Sequence, residues 1–125
     1  MKYLIKFSIK LIFFVLIVFN SYAANSIKIG LVIPLSGDSE ELGQSVLKSV
    51  RLAVNDINDD NIVIIPRDNQ NDPDKTLEVA KELYNNGVKI IIGPIFKKNT
   101  IKLNQLNDDI IFVSFTNKIE GSKKI

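Results

Sequence analysis

The chain has 125 residues, 46% of them hydrophobic, with no Cys, no His and no Trp, and a formal net charge of +2. Without Cys or His there is no thiol or imidazole catalysis, no ordinary zinc site and no disulfide. The positive balance is local. Lys2, Lys6 and Lys10 lie in residues 1–23, which hold no acid, and the other 102 residues carry 13 Lys+Arg against 14 Asp+Glu. The charge is therefore no argument for a nucleic-acid partner.

Three lysines precede the apolar run Leu11–Phe19, and Asn20-Ser21-Tyr22-Ala23 follows. Small residues stand at the −3 and −1 positions of a cut after Ala23. A charged start, an apolar centre and a small-residue site make a secretory signal peptide. Nine apolar residues fall well short of the roughly 20 that span a bilayer. Residues 1–23 are thus expected to be a cleaved signal and 24–125 the exported part. No Cys stands near the cut, so no lipid anchor is expected. In a Gram-negative source the destination is the periplasm.

The exported part alternates strand and helix. Ile27–Ile33 is β-rich and stopped by Pro34. Residues 34–41 are loop material. From Leu42 the apolar positions Leu42, Val46, Leu47, Val50, Ala53, Val54 and Ile57 recur at intervals of three and four, which predicts an amphipathic helix. Asn58-Asp-Asp-Asn61 ends it. Ile62–Ile65 reads as a second buried strand closed by Pro66. Asp72-Pro73-Asp74 is helix-start chemistry, with Asp as cap and Pro at the first helical position. Leu77, Ala80, Leu83 and Tyr84 line that helix's inner face, and Asn86-Gly87 supplies a left-handed stop. Lys89–Gly93 is the third strand, ended by Gly93-Pro94. A shorter helix over about 98–107 turns Ile101 (or Leu103) and Leu106 inward. Ile110–Phe115 is the fourth strand.

The order βαβαβαβ, with continuous apolar strands, predicts an α/β fold: a parallel sheet with helices on both faces and right-handed crossovers. The fourth strand would leave an open apolar edge. Four strands followed by the charged stretch after Thr116 resemble an incomplete lobe.

Ligands of open parallel sheets bind at the carboxyl ends of the strands. Four segments lie there. Ser36-Gly37-Asp38-Ser39 is either a backbone nest favouring an anion or an ordinary turn with Asp38 or Ser39 as helix cap. It is not a nucleotide fingerprint, and no Gly-Lys-Ser/Thr occurs. Asp68 reads as a solvated loop acid, and Asp56, Asp59 and Asp60 as a solvated helix end without calcium-loop spacing. After Gly93-Pro94, Lys97 and Lys98 stand either where a carboxylate or phosphate would approach or as a solvated pair at a helix start. Ser114, Phe115 and Thr116 either orient a small polar ligand or simply turn the chain. No nucleophile–base set or metal cluster is present, so enzyme is the disfavoured class. No cofactor is expected.

Ile27-Lys-Ile-Gly-Leu-Val-Ile-Pro-Leu-Ser-Gly37, Leu42-Gly43-Gln44, Arg51-Leu-Ala-Val-Asn-Asp-Ile-Asn58, Asp68-Asn-Gln-Asn-Asp-Pro73 and Ile91-Ile-Gly-Pro94 resemble, in order and spacing, the type I periplasmic binding-protein superfamily. The nearest branch is the leucine/isoleucine/valine-binding family, and the likeness runs from about Ile27 to Asn117. The resemblance implies two α/β lobes around a hinge, a small amino-acid-like ligand and an ABC permease as partner. Family chains are about two to three times the mature length. Residues 24–125 are then expected to be the first lobe, incomplete. In the amino-acid binders a Ser after Gly-Pro holds the ligand carboxylate; Lys97 stands there. Thr116 matches a ligand-contacting Thr, whereas Phe115 replaces a small residue. These departures point away from the usual branched-chain ligand. Pro34-Leu-Ser-Gly, Pro66-Arg67-Asp68, Gly93-Pro-Ile-Phe96 and Phe115-Thr-Asn also resemble the leucine-binding-like domain of penicillin-binding protein activators. Those proteins contact peptidoglycan synthases and are often lipoproteins. A third alternative is an α/β enzyme lobe with catalytic groups outside this sequence.

Overall fold

The computed structural model describes residues 26–106 and 109–116. The expected signal peptide and the stretch after Thr116 lie outside the described residues. Among the described residues four strands and three helices alternate: β1 (Ile27–Ile33), α1 (Glu40–Ile57), β2 (Ile62–Asp68), α2 (Pro73–Asn85), β3 (Ile90–Ile92), α3 (Lys97–Lys102) and β4 (Ile111–Val113). Short 3-10 turns, Gly37–Ser39 and Leu103–Gln105, precede α1 and follow α3.

All strand pairs are parallel, in the order β2-β1-β3-β4. The register runs Ile27↔Ile62 to Ile33↔Asp68, Ile29↔Ile90 to Leu31↔Ile92, and Ile90↔Ile111 to Ile92↔Val113. The chain steps one way from β1 to β2, then back across β1 to β3 and β4. Right-handed crossovers therefore place α1 on one face and α2 with α3 on the other. Side-chain alternation along β1 matches this. Val32 joins Val79, Ala80, Leu83, Val88, Ile91, Leu103 and Phe112 in one cluster, while Leu31 and Ile33 meet Leu47 of α1 in a second. The expected α/β class is present, and among the described residues β4 lies at the edge of the sheet.

Helix α2 follows its sequence signals closely. The Asp72 carboxylate accepts from the Lys75 N–H at 2.7 Å, and Pro73 opens the helix. At the other end Gly87 has φ +83, its N–H donates to the Tyr84 carbonyl at 2.9 Å, and Val88 N–H donates to Leu83 at 3.0 Å. Those two bonds form the Schellman stop that glycine permits. Arg67 of β2 ties onto α2 through Glu82 at 2.7 Å.

Several expectations need correction. Helix α1 starts at Glu40, and its inner face is narrower than the seven apolar positions suggested. Leu47 and Gly43 are buried, whereas Leu42, Ala53 and Ile57 are exposed. One helix lying over a sheet buries a single stripe, and these positions fall outside it. Gly43 marks the closest approach: a Cβ there would collide with the Pro34 carbonyl. Strand β2 does not stop at Pro66 but continues to Asp68, and it is only half-buried, with Val63 exposed. It is an edge strand, where a residue without N–H is tolerated. Thr76 and Val79 join the inner face of α2. The third helix is shorter than expected, and Leu103, not Ile101, turns inward with Leu106. Strand β4 has only three residues. Phe112 points into the core, so Ile111 and Val113 face the other side, largely exposed.

Candidate functional site

The parallel sheet delivers four exit loops to one rim, and polar groups join each loop to the next. At the end of β1 the chain turns out through Pro34 and Leu35. The Leu35 N–H donates to Asp68 Oδ1 at 2.7 Å, and the Ser36 hydroxyl donates to Oδ2 at 2.6 Å. The Gln70 N–H adds a third bond at 2.9 Å. Asp68 is therefore an anchor for the β1 exit and not the solvated loop acid expected. Burial alone would raise its pKa. The bonds from the Ser36 hydroxyl and from the Leu35, Gln70 and Ser36 N–H groups outweigh burial and hold it below the usual carboxylate value.

The β2 exit is a tight turn with Gln70 and Asn71 both left-handed, at φ 52 and 53. Asn69 is fully buried: its N–H donates to the Ile33 carbonyl and its amide to Thr76 Oγ1 at 3.0 Å. Asn71 Nδ2 donates to Ser39 Oγ at 3.3 Å. Ser39 stands at the N-cap position of α1, one of the two caps expected, but its side chain makes no cap bond, and neither does that of Ser36 ahead of the 3-10 turn. Gly37 is left-handed, with φ +75.

The β3 exit bends at Gly93, with φ +102, and continues through a cis Gly93–Pro94 bond. A Cβ at Gly93 would strike the Val32 carbonyl, so only glycine lets this loop lie on β1. Phe96 precedes α3 and is half-buried. Its carbonyl accepts from the N–H groups of Asn99 at 3.0 Å and Thr100 at 3.2 Å. Lys97 and Lys98 are exposed at the first two positions of α3. Lys102 at its end pairs with Asp74 of α2 at 2.6 Å.

At the β4 exit Ser114 Oγ lies 3.2 Å from Thr100 Oγ1 and 3.0 Å from Thr116 Oγ1, and donates to the Pro94 carbonyl at 3.3 Å. Phe115 diverges from this group. It is half exposed and borders, with Ser45, Val46, Ser49, Val50 and Ala53 of α1, a groove of about 360 Å³.

Of the candidate residues, Ser114 and Thr116 come together beside Pro94, and Ser36 joins Asp68. Lys97 stands free of them at the start of α3, and Phe115 belongs to the α1 flank. Sequence reasoning missed Asn71, Asn99 and Thr100. Their signal was thin: Asn99 and Thr100 are polar residues at fully buried helical positions, which no apolar period can reveal. Among the described residues no cluster of three or more acids is placed to hold a metal ion. Chemically, the rim presents hydroxyls and backbone groups, with the Asp68 carboxylate committed to the β1 exit and the Lys97 and Lys98 charges exposed at the start of α3.

Comparison with known proteins agrees with this architecture. The Leu/Ile/Val-binding protein of Citrobacter freundii is 27% identical over 96 residues, covering 72% of this chain and 26% of the relative. The chain thus spans about a quarter of that relative's length. A solute-binding protein of an ABC transporter from Rhodopseudomonas palustris BisB5, solved with 3,4-dihydroxybenzoic acid, superposes with a TM-score of 0.67 at 23% identity, covering 72% of this chain and 27% of that one. The C-domain of LpoA from Haemophilus influenzae, a regulator of PBP1A, superposes with a TM-score of 0.59 at 21% identity, covering 70% of this chain and 27% of that domain chain. At these identities the structural likenesses speak for the fold. The family model for periplasmic binding proteins matches residues 26–124, and the chain belongs to that family.

Proposed function

We propose that this chain carries the first ligand-binding lobe of an exported solute-binding protein that serves an ABC permease. The ligand is a small, carboxylate-bearing, amino-acid-like molecule, and no catalysis is assigned. The observation that carries the reading is the convergence of Ser114, Thr116 and the Pro94 carbonyl at adjacent strand exits, with Lys97 on the neighbouring helix. Hydroxyls and backbone groups orient a zwitterion, and lysine favours its carboxylate. The signal-peptide pattern of residues 1–23 and the match to periplasmic binding proteins support a periplasmic location. The named ligand specificity of the Citrobacter relative supports an amino acid, and the dihydroxybenzoate complex supports an aromatic acid as competitor.

NMR titration of the chain with L-leucine and with 3,4-dihydroxybenzoate tests this. One lobe encloses a ligand from one side only, so a Kd of about 1 mM or weaker is expected. Shifts confined to amides of residues 35–39, 93–98 and 114–116 would support the reading; a rim silent to both compounds would sink it. The second reading is an envelope regulator that contacts a peptidoglycan synthase. The fold shared with LpoA and the exposed Phe115 flank favour it. Co-sedimentation with such a synthase, beside a silent titration, would select it.

A further inference from the structure

Helix α3 carries two consecutive polar side chains, Asn99 and Thr100, both fully buried. They reach in opposite directions. Asn99 Nδ2 donates to Asn71 Oδ1 at 3.2 Å, and Asn71 passes the connection to Ser39 at 3.3 Å. Thr100 Oγ1 meets Ser114 Oγ at 3.2 Å, and through it Thr116 and the Pro94 carbonyl. The Ser36–Asp68 bond joins the β1 and β2 exits a second time. The exits are thus linked in chain order, β1 to β2, β2 to β3 and β3 to β4, and α3 carries the links on both sides of the β3 exit.

Packing alone does not account for this choice. An apolar side chain fills a buried helical position without desolvating an amide. Asn99 Oδ1 has no partner among the described residues, so the amide is desolvated and only half satisfied. What Asn99 supplies at this position is the bond from its Nδ2 to Asn71. We propose that Asn99 and Thr100 form a crossbar of positioning residues that holds the four exit loops in one register. Its purpose, presenting a ligand rim, rests on the function proposed above; its existence does not.

Amide exchange in the full-length chain, without ligand, tests the crossbar. The reporter is the Glu40 N–H, which bonds the Gly37 carbonyl in the β1 exit and which Asn99 does not touch. Asn71→Gly keeps the left-handed backbone of the turn and removes only the amide. It is expected to speed exchange at Glu40 about three- to tenfold, the worth of one hydrogen bond. Asn99→Ala should do the same, and the double variant should exchange no faster than either alone. Thr100→Val should loosen Thr116 and leave Glu40 unchanged. A Glu40 amide indifferent to both asparagine changes would overturn the crossbar. If Asn99→Ala fails to fold, Asn71→Gly and Thr100→Val still decide. A chain with these couplings that binds neither leucine nor dihydroxybenzoate keeps the crossbar and loses the binding reading.

Discussion

The two faces of the sheet are closed to different degrees. On the α2 and α3 side, Val32, Leu83, Val88, Ile91, Leu103 and Phe112 pack into one continuous cluster. On the α1 side only Leu31, Ile33 and Leu47 are buried together, with Leu35, Val46, Val50 and Ile92 partly covered. Ile111 and Val113 on that side remain 61% and 52% exposed. The difference is not one of composition, because the strands point Leu31, Ile33, Ile64, Ile92, Ile111 and Val113 to the α1 side and Val32, Ile65, Ile91 and Phe112, with Lys28 and Arg67, to the other. Burial follows from what covers each face: α2, α3 and the 3-10 turn after it cover one side as far as Phe112 of β4, whereas among the described residues α1 alone covers the other, over β1 and β2. The difference predicts where substitutions hurt.

The sharpest test pairs two leucines. Leu83→Ala, in the closed face, is expected to remove about 2–5 kcal/mol in urea unfolding, whereas Leu52→Ala on the exposed side of α1 stays within about 0.5 kcal/mol. Equal losses would break the comparison. Next comes a tight contact of the sparser face, between Gly43 and the Pro34 carbonyl. Gly43→Ala drives a methyl into the Pro34 carbonyl and should lower stability by about 1–3 kcal/mol, read by the same unfolding. Asp72→Ala removes the cap of α2, with an expected loss of about 1 kcal/mol.

Acid sharpens the contrast further. Leu35, which packs on the α1 side, is held by Asp68. The folded state keeps the Asp68 pKa below the ordinary 3.8, so the unfolded chain binds the proton more readily. The stabilisation is present above that ordinary value and fades as pH falls below it. Unfolding measured from neutral to acid pH should show a steeper loss for the native chain than for Asp68→Asn. The smallest change is Val113→Thr. It should leave stability within about 0.5 kcal/mol while reducing self-association in sedimentation, because Val113 is half exposed on β4, an apolar edge among the described residues.

The strand and helix order was legible because each element carries local signals: the Asp72-Pro73 start, the Asn86-Gly87 stop, the apolar runs of β1 and β3. What stayed hidden depended on neighbours. Nothing in Ile110–Phe115 says that only the Phe112 side meets helices, and nothing in the seven apolar positions of α1 says that Leu42 and Ile57 miss the sheet. Strand β2 runs through Pro66 because it lies at an edge, a fact of topology. At the site, loop positions followed from parallel strands, whereas Asp68 changed from a solvated acid to an anchor only once the β1 exit lay beside it. Asn71 and Asn99 are far apart in the chain, and their meeting has no sequence period.

The links among the exit loops have one further consequence. Apart from Asp68 they consist of uncharged amides, hydroxyls and backbone groups. Dissolved ions screen charge pairs across a protein surface but hardly touch bonds between neutral groups. The rim should therefore keep its shape from dilute medium to brine, whereas the Lys102–Asp74 and Arg67–Glu82 pairs that brace the helices weaken. For a chain exported as proposed above, the most exacting geometry would then be built of parts that salt leaves alone.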